Sequence, residues 1–330
     1  MTGAGGGRLG VVGTLVWDTI RRPGRAPVQE WGGIAYALGG LEAALPDGWE
    51  VVPLLKVGAD LDARARAFLR TLPRVQHEAV TTVADPNNRV ELVYADRERR
   101  TERLSGGVAP WTPAELLPRL EGLDAVYVNF ISGFELTLET AEWLRHAFAG
   151  PIYADLHSLF LAVSATGLRT PRALPELARW LRCFDVVQMN EAEFDLLAEA
   201  SGDPWHLAAG LVGGPLRLML VTLGERGAAC VTAPDFQDDP AGWAEARRAL
   251  FPRGTATSRH ITALEVVADP DPTGCGDVWG ATCFARLLAG DALAEAMSRA
   301  NRVAARNAAL NGATGLHLHL AGKLASEVSR

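Results

Sequence analysis

Near the C-terminal end, Asp271-Pro272-Thr273-Gly274-Cys275-Gly276-Asp277 follows an apolar run, Ala263–Ala268, and opens a helical pattern over Val278–Leu288. Two glycines let the backbone turn tightly and come close to a ligand. A helix starting there leaves the N–H groups of Gly274, Cys275, Gly276 and Asp277 without intrahelical partners, and with the positive end of the helix dipole they make an anion site. Asp277 puts a carboxylate at that same end. Donors for the charge of a transferred group, beside a base for an attacking hydroxyl, are what phosphoryl transfer needs. Taken alone, the segment reads equally well as a Gly-rich turn with an acidic residue at a helix N-terminus.

Three other spacings could serve the same chemistry. Asn190 and Glu193 lie one turn apart on a helix face, an amide and a carboxylate able to hold the waters of a Mg²⁺ ion near phosphates. The pair is also a capping arrangement, Asn at the N-cap and Glu at N3, and alone that reading has the better claim. Thr222, Gly224 and Gly227 end an apolar run, where glycines permit close approach of a nucleotide at the carboxyl end of a strand. Asp18 follows the first apolar run, and Gly32-Gly33 come fourteen residues later. Trp17 and Trp31 flank these elements as apolar surface for a sugar or as packing. His157 reads as a loop histidine, since no Ser or Cys nucleophile pattern accompanies it.

Short continuous apolar runs must carry these residues: Leu9–Leu15, Val51–Val57, Ala125–Phe130, Ile152–Ala154, Val186–Met189 and Leu218–Thr222. Such runs read as buried parallel strands. Helical patterns lie between or after them, at Thr137–Phe148, Glu191–Ala200 and Asp277–Leu288. The alternation predicts an α/β fold with a mostly parallel sheet covered on both faces. Asn88–Leu104 instead alternates apolar and polar residues and becomes highly charged, which predicts a hairpin turning near Asp96–Arg99. Pro234–His260, rich in Pro, Asp and Arg, predicts a surface excursion with a short helix at Trp243–Leu250.

Taken together and in this order, the segments resemble the ribokinase (PfkB) family of sugar and nucleoside kinases, whose C-terminal signature reads D-T-x-G-A-G-D before a long helix. The resemblance spans about Leu9 to Gly315. It implies a ribokinase-like three-layer sandwich with a central sheet of nine or so strands. One kinase domain would cover 1–330, with a small β lid from about 14–32 and 88–104. The implied reaction moves the γ-phosphoryl group of Mg·ATP to a hydroxyl of a sugar or nucleoside. Asp277 would be the base, and the amides of Gly274, Cys275 and Gly276 the anion hole. Asn190, Thr222, Gly224, Gly227 and Asn307 would serve the nucleotide, with Asn307 lining the adenine pocket. Glu193 would help organise Mg²⁺, Asp271 would stand at a monovalent cation such as K⁺, and Asp18, Gly32 and Gly33 would receive the acceptor.

The weaker correspondences are Gly58 and Asp60, Ser132-Gly133, and Asp155 at a strand end. Asp60 fits support of its loop better than contact with substrate. The sequence departs from the pattern at Pro272 for Thr, at Cys275 for Ala, and at Ala37 where an Asn usually follows the Gly-Gly pair. The Cys275 thiol stands where a helix N-terminus favours thiolate, although a small residue packed in a tight turn is the favoured reading. Arg89, Arg97, Arg99, Arg100 and Arg103 would solvate the hairpin or receive a phosphorylated substrate. The resemblance allows a homodimer through the lid. A rival reading on the same fold is a non-catalytic sugar- or nucleotide-binding regulator, since fold does not fix function; Ala37 is the feature that favours it.

The chain has 330 residues and a net charge of −7, from 32 Lys and Arg against 39 Asp and Glu. No basic face for nucleic acid is expected from that balance, while an anion site built on backbone amides does not enter it. Cys183, Cys230, Cys275 and Cys283 form no Cys-x-x-Cys pair and no zinc spacing. No stretch approaches the ~18 apolar residues of a membrane span, and the run after the glycine-rich N-terminus stops at Asp18, short of a signal peptide. The expected setting is the cytoplasm.

Overall fold

Each apolar run becomes a strand, because a continuous Val/Ile/Leu segment can bury both faces only between two helical layers. The computed structural model describes residues 6–94, 100–197, 202–247, 254–263, 267, 270–310 and 312–323. The expected turn at Asp96–Arg99, the far ends of the helices drawn to Ala200 and Leu250, and most of the run Ala263–Ala268 lie outside them. In chain order the strands are β1 (Arg8–Gly13), β2 (Leu15–Arg21), β3 (Val28–Gly33), β4 (Glu50–Gly58), β5 (Thr81–Val83), β6 (Arg89–Tyr94), β7 (Arg100–Ser105), β8 (Ala125–Asn129), β9 (Ile152–Asp155), β10 (Leu161–Val163), β11 (Arg169–Pro171), β12 (Val186–Asn190), β13 (Leu218–Thr222), β14 (Ala228–Thr232) and β15 (Thr257–Ile261).

Nine of them form the main sheet in the order β15-β14-β13-β12-β9-β8-β1-β4-β5. From β13 to β5 all neighbours run parallel, and only β13–β14 and β14–β15 are antiparallel. Successive strand residues face opposite layers. Leu9, Val11, Ala125 and Tyr127 pack with the helices Ile34–Ala44, Cys275–Leu288 and Leu293–Ala308, while Val12, Val126 and Val128 pack with the helix Leu138–Ala147. This is the expected three-layer arrangement. The chain leaves β1 toward β4 on one side and returns through β8 to build the other. The strand order therefore reverses between β1 and β8, and open α/β sheets hold ligands at the carboxyl ends beside such a reversal.

Two elements differ from the sequence reading. The run Leu9–Leu15 is not one strand. It breaks at Thr14, whose hydroxyl donates to Glu135 Oε1 at 2.8 Å, and β2 passes into a second sheet of order β3-β2-β6-β7. That small sheet spans Leu15–Gly33 and Arg89–Ser105, close to the segments expected for a lid. The excursion Pro234–His260 holds the short helix Trp243–Ala246, but it also supplies most of β15, an antiparallel edge strand. Residues 257–260 are exposed, so β15 has no apolar run to announce it. No described helix is long and apolar enough to cross a membrane.

Candidate active site

The carboxyl ends of three neighbouring strands bring polar side chains into one row. Asn129 of β8 stands opposite Asp155 of β9, and Asp155 opposite Gln188 of β12. The first turn of the helix Cys275–Leu288 sits on that row. Asn129 Nδ2 donates to Asp277 Oδ1 at 2.7 Å, and Gln188 Nε2 donates to Asp155 Oδ2 at 2.9 Å and to the Gly276 carbonyl at 3.0 Å. Asp155 Oδ1 accepts the His157 N–H at 3.1 Å. Burial, then the charges of Asp277 and Glu193, raises the Asp155 carboxyl. Burial likewise raises Asp277, to about 6, against the lowering pull of the Asn129 hydrogen bond and of His157.

The turn before the helix is shaped by its own residues. Asp271 Oδ1 accepts the Thr273 N–H at 3.0 Å and its hydroxyl at 2.6 Å. Gly274 takes φ 71°, and a Cβ there would lie 2.2 Å from the Tyr36 ring. Glycine is required on both counts. The N–H of Cys275 donates to the Pro272 carbonyl at 3.2 Å, which corrects the expectation of a run of unpaired amides. Gly274 and Gly276 keep theirs without a carbonyl partner among the described residues. The Cys275 thiol is not the thiolate that a helix N-terminus can favour: burial pushes it up to about 11.

Asn190 caps the helix Glu191–Asp195. Its Oδ1 accepts the Glu193 N–H at 2.9 Å, while Glu193 Oε2 accepts the Asn190 N–H at 2.8 Å. Glu193 Oε1 takes Asn190 Nδ2 at 2.6 Å and pairs with His157 Nδ1. The capping arrangement is therefore present. A carboxylate oxygen offers two lone pairs, so Oε2 can still accept from a metal-bound water, and the pair fits a hydrated Mg²⁺. Burial pulls His157 down, but Glu193 and then Asp155 overcome it and hold the imidazole at about 9.

Asp155, His157, Gln188, Asn190, Glu193 and the turn 272–277 line one cavity of about 630 Å³. Asp18, Gly33, Val16, Val90, Leu92 and Ile131 bound it on the small-sheet side, and Thr222, Gly224, Gly227, Ala304, Ala305 and Ala308 on the other. Gly32 is needed behind Asp18, whose Oδ2 would be 1.7 Å from an added Cβ. Several expected residues stand elsewhere. Asn307 is fully buried behind the loop, donating to the Thr273 carbonyl at 2.9 Å and to Cys275 Sγ at 3.3 Å, and does not line the cavity. Asn301 does, six residues earlier on that helix. Ala37 is buried in its helix and away from the cavity.

The alternation of β2 turns Trp17 to the face opposite Asp18. Trp17 packs edge-on against Trp31 and under Arg64, and Trp31 packs on Phe68, so neither forms a wall for the acceptor. Asp60 supports its loop as expected, accepting the Asn87 N–H at 2.8 Å and pairing with Arg89 at 2.6 Å. Arg103 reaches the Thr166 carbonyl at 3.2 Å.

Residues 50–317 match the pfkB family carbohydrate kinase. The chain belongs to this family. Similar folds include the Burkholderia thailandensis nucleoside kinase in complex with inosine (TM-score 0.65, 17% identity, covering 94% of this chain and 93% of that one). The Thermotoga maritima ribokinase is similar at TM-score 0.67 and 15% identity, over 96% of this chain and 99% of that one. A pyrophosphate-dependent kinase of the ribokinase family, in a sulfate complex, is similar at TM-score 0.66 and 18% identity, over 92% and 96%. No curated protein matches the sequence.

In this pfkB-family kinase, sequence reasoning assigned no site role to four groups that the fold puts at the cavity or, for Asn129, against Asp277 in its wall. Asn129 and Gln188 were legible only as polar residues in otherwise apolar runs, where a buried polar side chain must find a partner. His157 lines the cavity instead of serving only its loop. Arg169 of β11 clasps the Ile131 and Ser132 carbonyls at 2.7 and 3.1 Å and faces Glu102 of β7 at 3.7 Å; a lone Arg in a polar stretch carries no signal of that.

Proposed function

We propose that this kinase transfers the γ-phosphoryl group of Mg·ATP to a hydroxyl of a sugar or nucleoside. The observation that carries the proposal is the single cavity in which Asp277 and the Gly274 and Gly276 amides share a wall with Asp18 and with the Thr222–Gly227 turn. Asp18 and the backbone at Gly32-Gly33 orient the acceptor. Asp277, aligned by Asn129, takes the proton from the attacking hydroxyl. The Asn129 hydrogen bond favours the ionised form of Asp277, while burial and the charges of Asp277 and Glu193 raise the neighbouring Asp155 carboxyl. The Gly274 and Gly276 amides hold the charge of the moving phosphoryl group. A Mg²⁺ on the donor phosphates would neutralise part of their charge, its waters held by Glu193 and Asn190.

A nucleotide donor, as opposed to bare pyrophosphate, is supported by the apolar wall of Leu223, Ala304, Ala305 and Ala308 beyond the amides, which gives room for a base. The small sheet would act as a lid that excludes water over one domain. The rival reading as a non-catalytic binder rested on Ala37, which the cavity does not touch.

A panel of sugars and nucleosides with Mg·ATP, scored by ADP formed, tests the proposal. One class of acceptor is expected to stimulate ADP release, and Asp277→Asn to lower kcat by about 10²–10⁴-fold. Full activity in Asp277→Asn would remove the base assignment, product formed from pyrophosphate alone the donor assignment, and acceptor binding without turnover the kinase reading.

A further inference from the structure

The carboxylate that opens the signature turn is held by a guanidinium from the small sheet. Arg22, just past β2, places Nη2 at 3.1 Å from Asp271 Oδ2. The same group lies over the Tyr94 ring of β6, 5.2 Å from its centroid, which fixes its direction. Asp271 Oδ1 is already taken by the N–H and hydroxyl of Thr273. Glu30 of β3 stands near both: its carboxyl is raised by burial and by Asp271 and lowered by Arg22. Glu30 is lodged against Gly312, where a Cβ would meet its Oε2 at 1.9 Å. One cation thus serves two carboxylates at the start of the turn that ends in the Gly274 and Gly276 amides.

A K⁺ ion at Asp271, as the family resemblance implies, does not fit this arrangement. Oδ1 is filled by two donors and Oδ2 faces the Arg22 guanidinium, so an ion bound there would sit against, or have to displace, a group that is charged at every accessible pH. We propose that Arg22 is a tethered cation: it brings to Asp271, from the small sheet, the positive charge that a bound monovalent ion would supply, so that the signature turn needs no K⁺ and keeps its shape while the β2–β3 hairpin is docked on it. Charge balance is the reason. Without Arg22, Asp271 and Glu30 would face each other beside amides that must attract a phosphate, and like charges at that range are unfavourable in a shielded site. The kinetic consequences rest on the kinase reading; the stability consequences do not.

The test compares the full chain with Arg22→Ala and with Arg25→Ala, a nearby exposed arginine as control, in potassium chloride and in choline chloride at equal ionic strength. Tm is measured without substrates, and kcat/KM with Mg·ATP and an acceptor. The parent is expected to give the same Tm and kcat/KM in both salts, and Arg25→Ala to match it. Arg22→Ala is expected to melt lower and to lose about tenfold in kcat/KM, the scale of one charge-assisted contact. Potassium or a low, non-denaturing level of guanidinium ion, but not choline, should restore both. Activation of the parent by potassium over choline would overturn the proposal, as would an Arg22→Ala variant indistinguishable from the parent. An impaired variant that neither cation restores overturns it too, since Arg22 would then be only a packing group on Tyr94. The melting arm needs no phosphotransfer, so its outcome is separable from that of the kinase assay.

Discussion

Asp277 is asked to be a base while sitting among other acids, and its neighbours decide whether it can be. Burial raises its carboxyl, and the Asn129 amide works against that rise by donating to the charged form. A base must be deprotonated, so kcat/KM is expected to fall as pH drops through about 6. Asn129→Ala removes a hydrogen bond to a charged group, worth about 1.5–3 kcal/mol, and so moves that acid limb upward by roughly 1–2 pH units. The pH profiles of both proteins, taken on the same acceptor, check this. An unmoved limb would mean that Asn129 does not set the ionisation of Asp277. Asn129 also shows why part of the site escaped notice: it ends the run Ala-Val-Tyr-Val-Asn, and nothing local says that a helix from nearly 150 residues later will land on it.

At the scale of elements, the site depends on how closely the helix Ile34–Ala44 approaches the signature turn. Tyr36 from that helix presses on Gly274, which has a positive φ and, because of that ring, no room for a methyl group. Gly274→Ala is therefore expected to cost about 2–5 kcal/mol, the sum of a left-handed alanine and an overpacked contact. In a Tyr36→Ala background the same change should cost less, because only the backbone part remains. Chemical denaturation of the four proteins measures the difference, and equal costs in the two backgrounds would assign the whole effect to backbone conformation. The glycines of the turn were legible as a pattern. Their steric cause was not, since Tyr36 and Gly274 are far apart in sequence. The swap of Asn301 for Asn307 at the cavity has a similar origin. The two residues lie on different faces of one helix, and its rotation against the sheet decides which of them is covered by the turn.

At the scale of the whole molecule, two sheets share one cavity. The main sheet is covered by helices on both faces, whereas the small sheet shows Arg21, Val28, Gln29 and Val93 to solvent. Backbone hydrogen bonds near solvent and few buried neighbours make an element open at lower free energy. Amides of β2, β3 and β6 are accordingly expected to exchange faster than those of β1, β8 and β9, and to slow when an acceptor with ADP is bound. Hydrogen exchange read by mass spectrometry would show it. Uniform protection that ignores the ligand would leave the small sheet as a fixed wall and end its reading as a lid.

The amino-acid sequence by itself determined the parallel α/β core, because continuous apolar runs separated by helical patterns have few other ways to bury themselves. It also determined the order of the motifs, the glycines and acids of the signature turn, and the capping pair at Asn190 and Glu193. Tertiary structure alone decided that the chain changes sheets at Thr14, that Trp17 and Trp31 turn away from Asp18, and that Arg22 reaches Asp271. The physical reason is range. Periodicity and turn chemistry report on neighbours within a few residues, while the site is assembled from strand ends whose register and loops whose docking are set by packing across the whole chain. The acidic total is compatible with an anion site because backbone amides at a helix start carry no formal charge and are placed only by the fold.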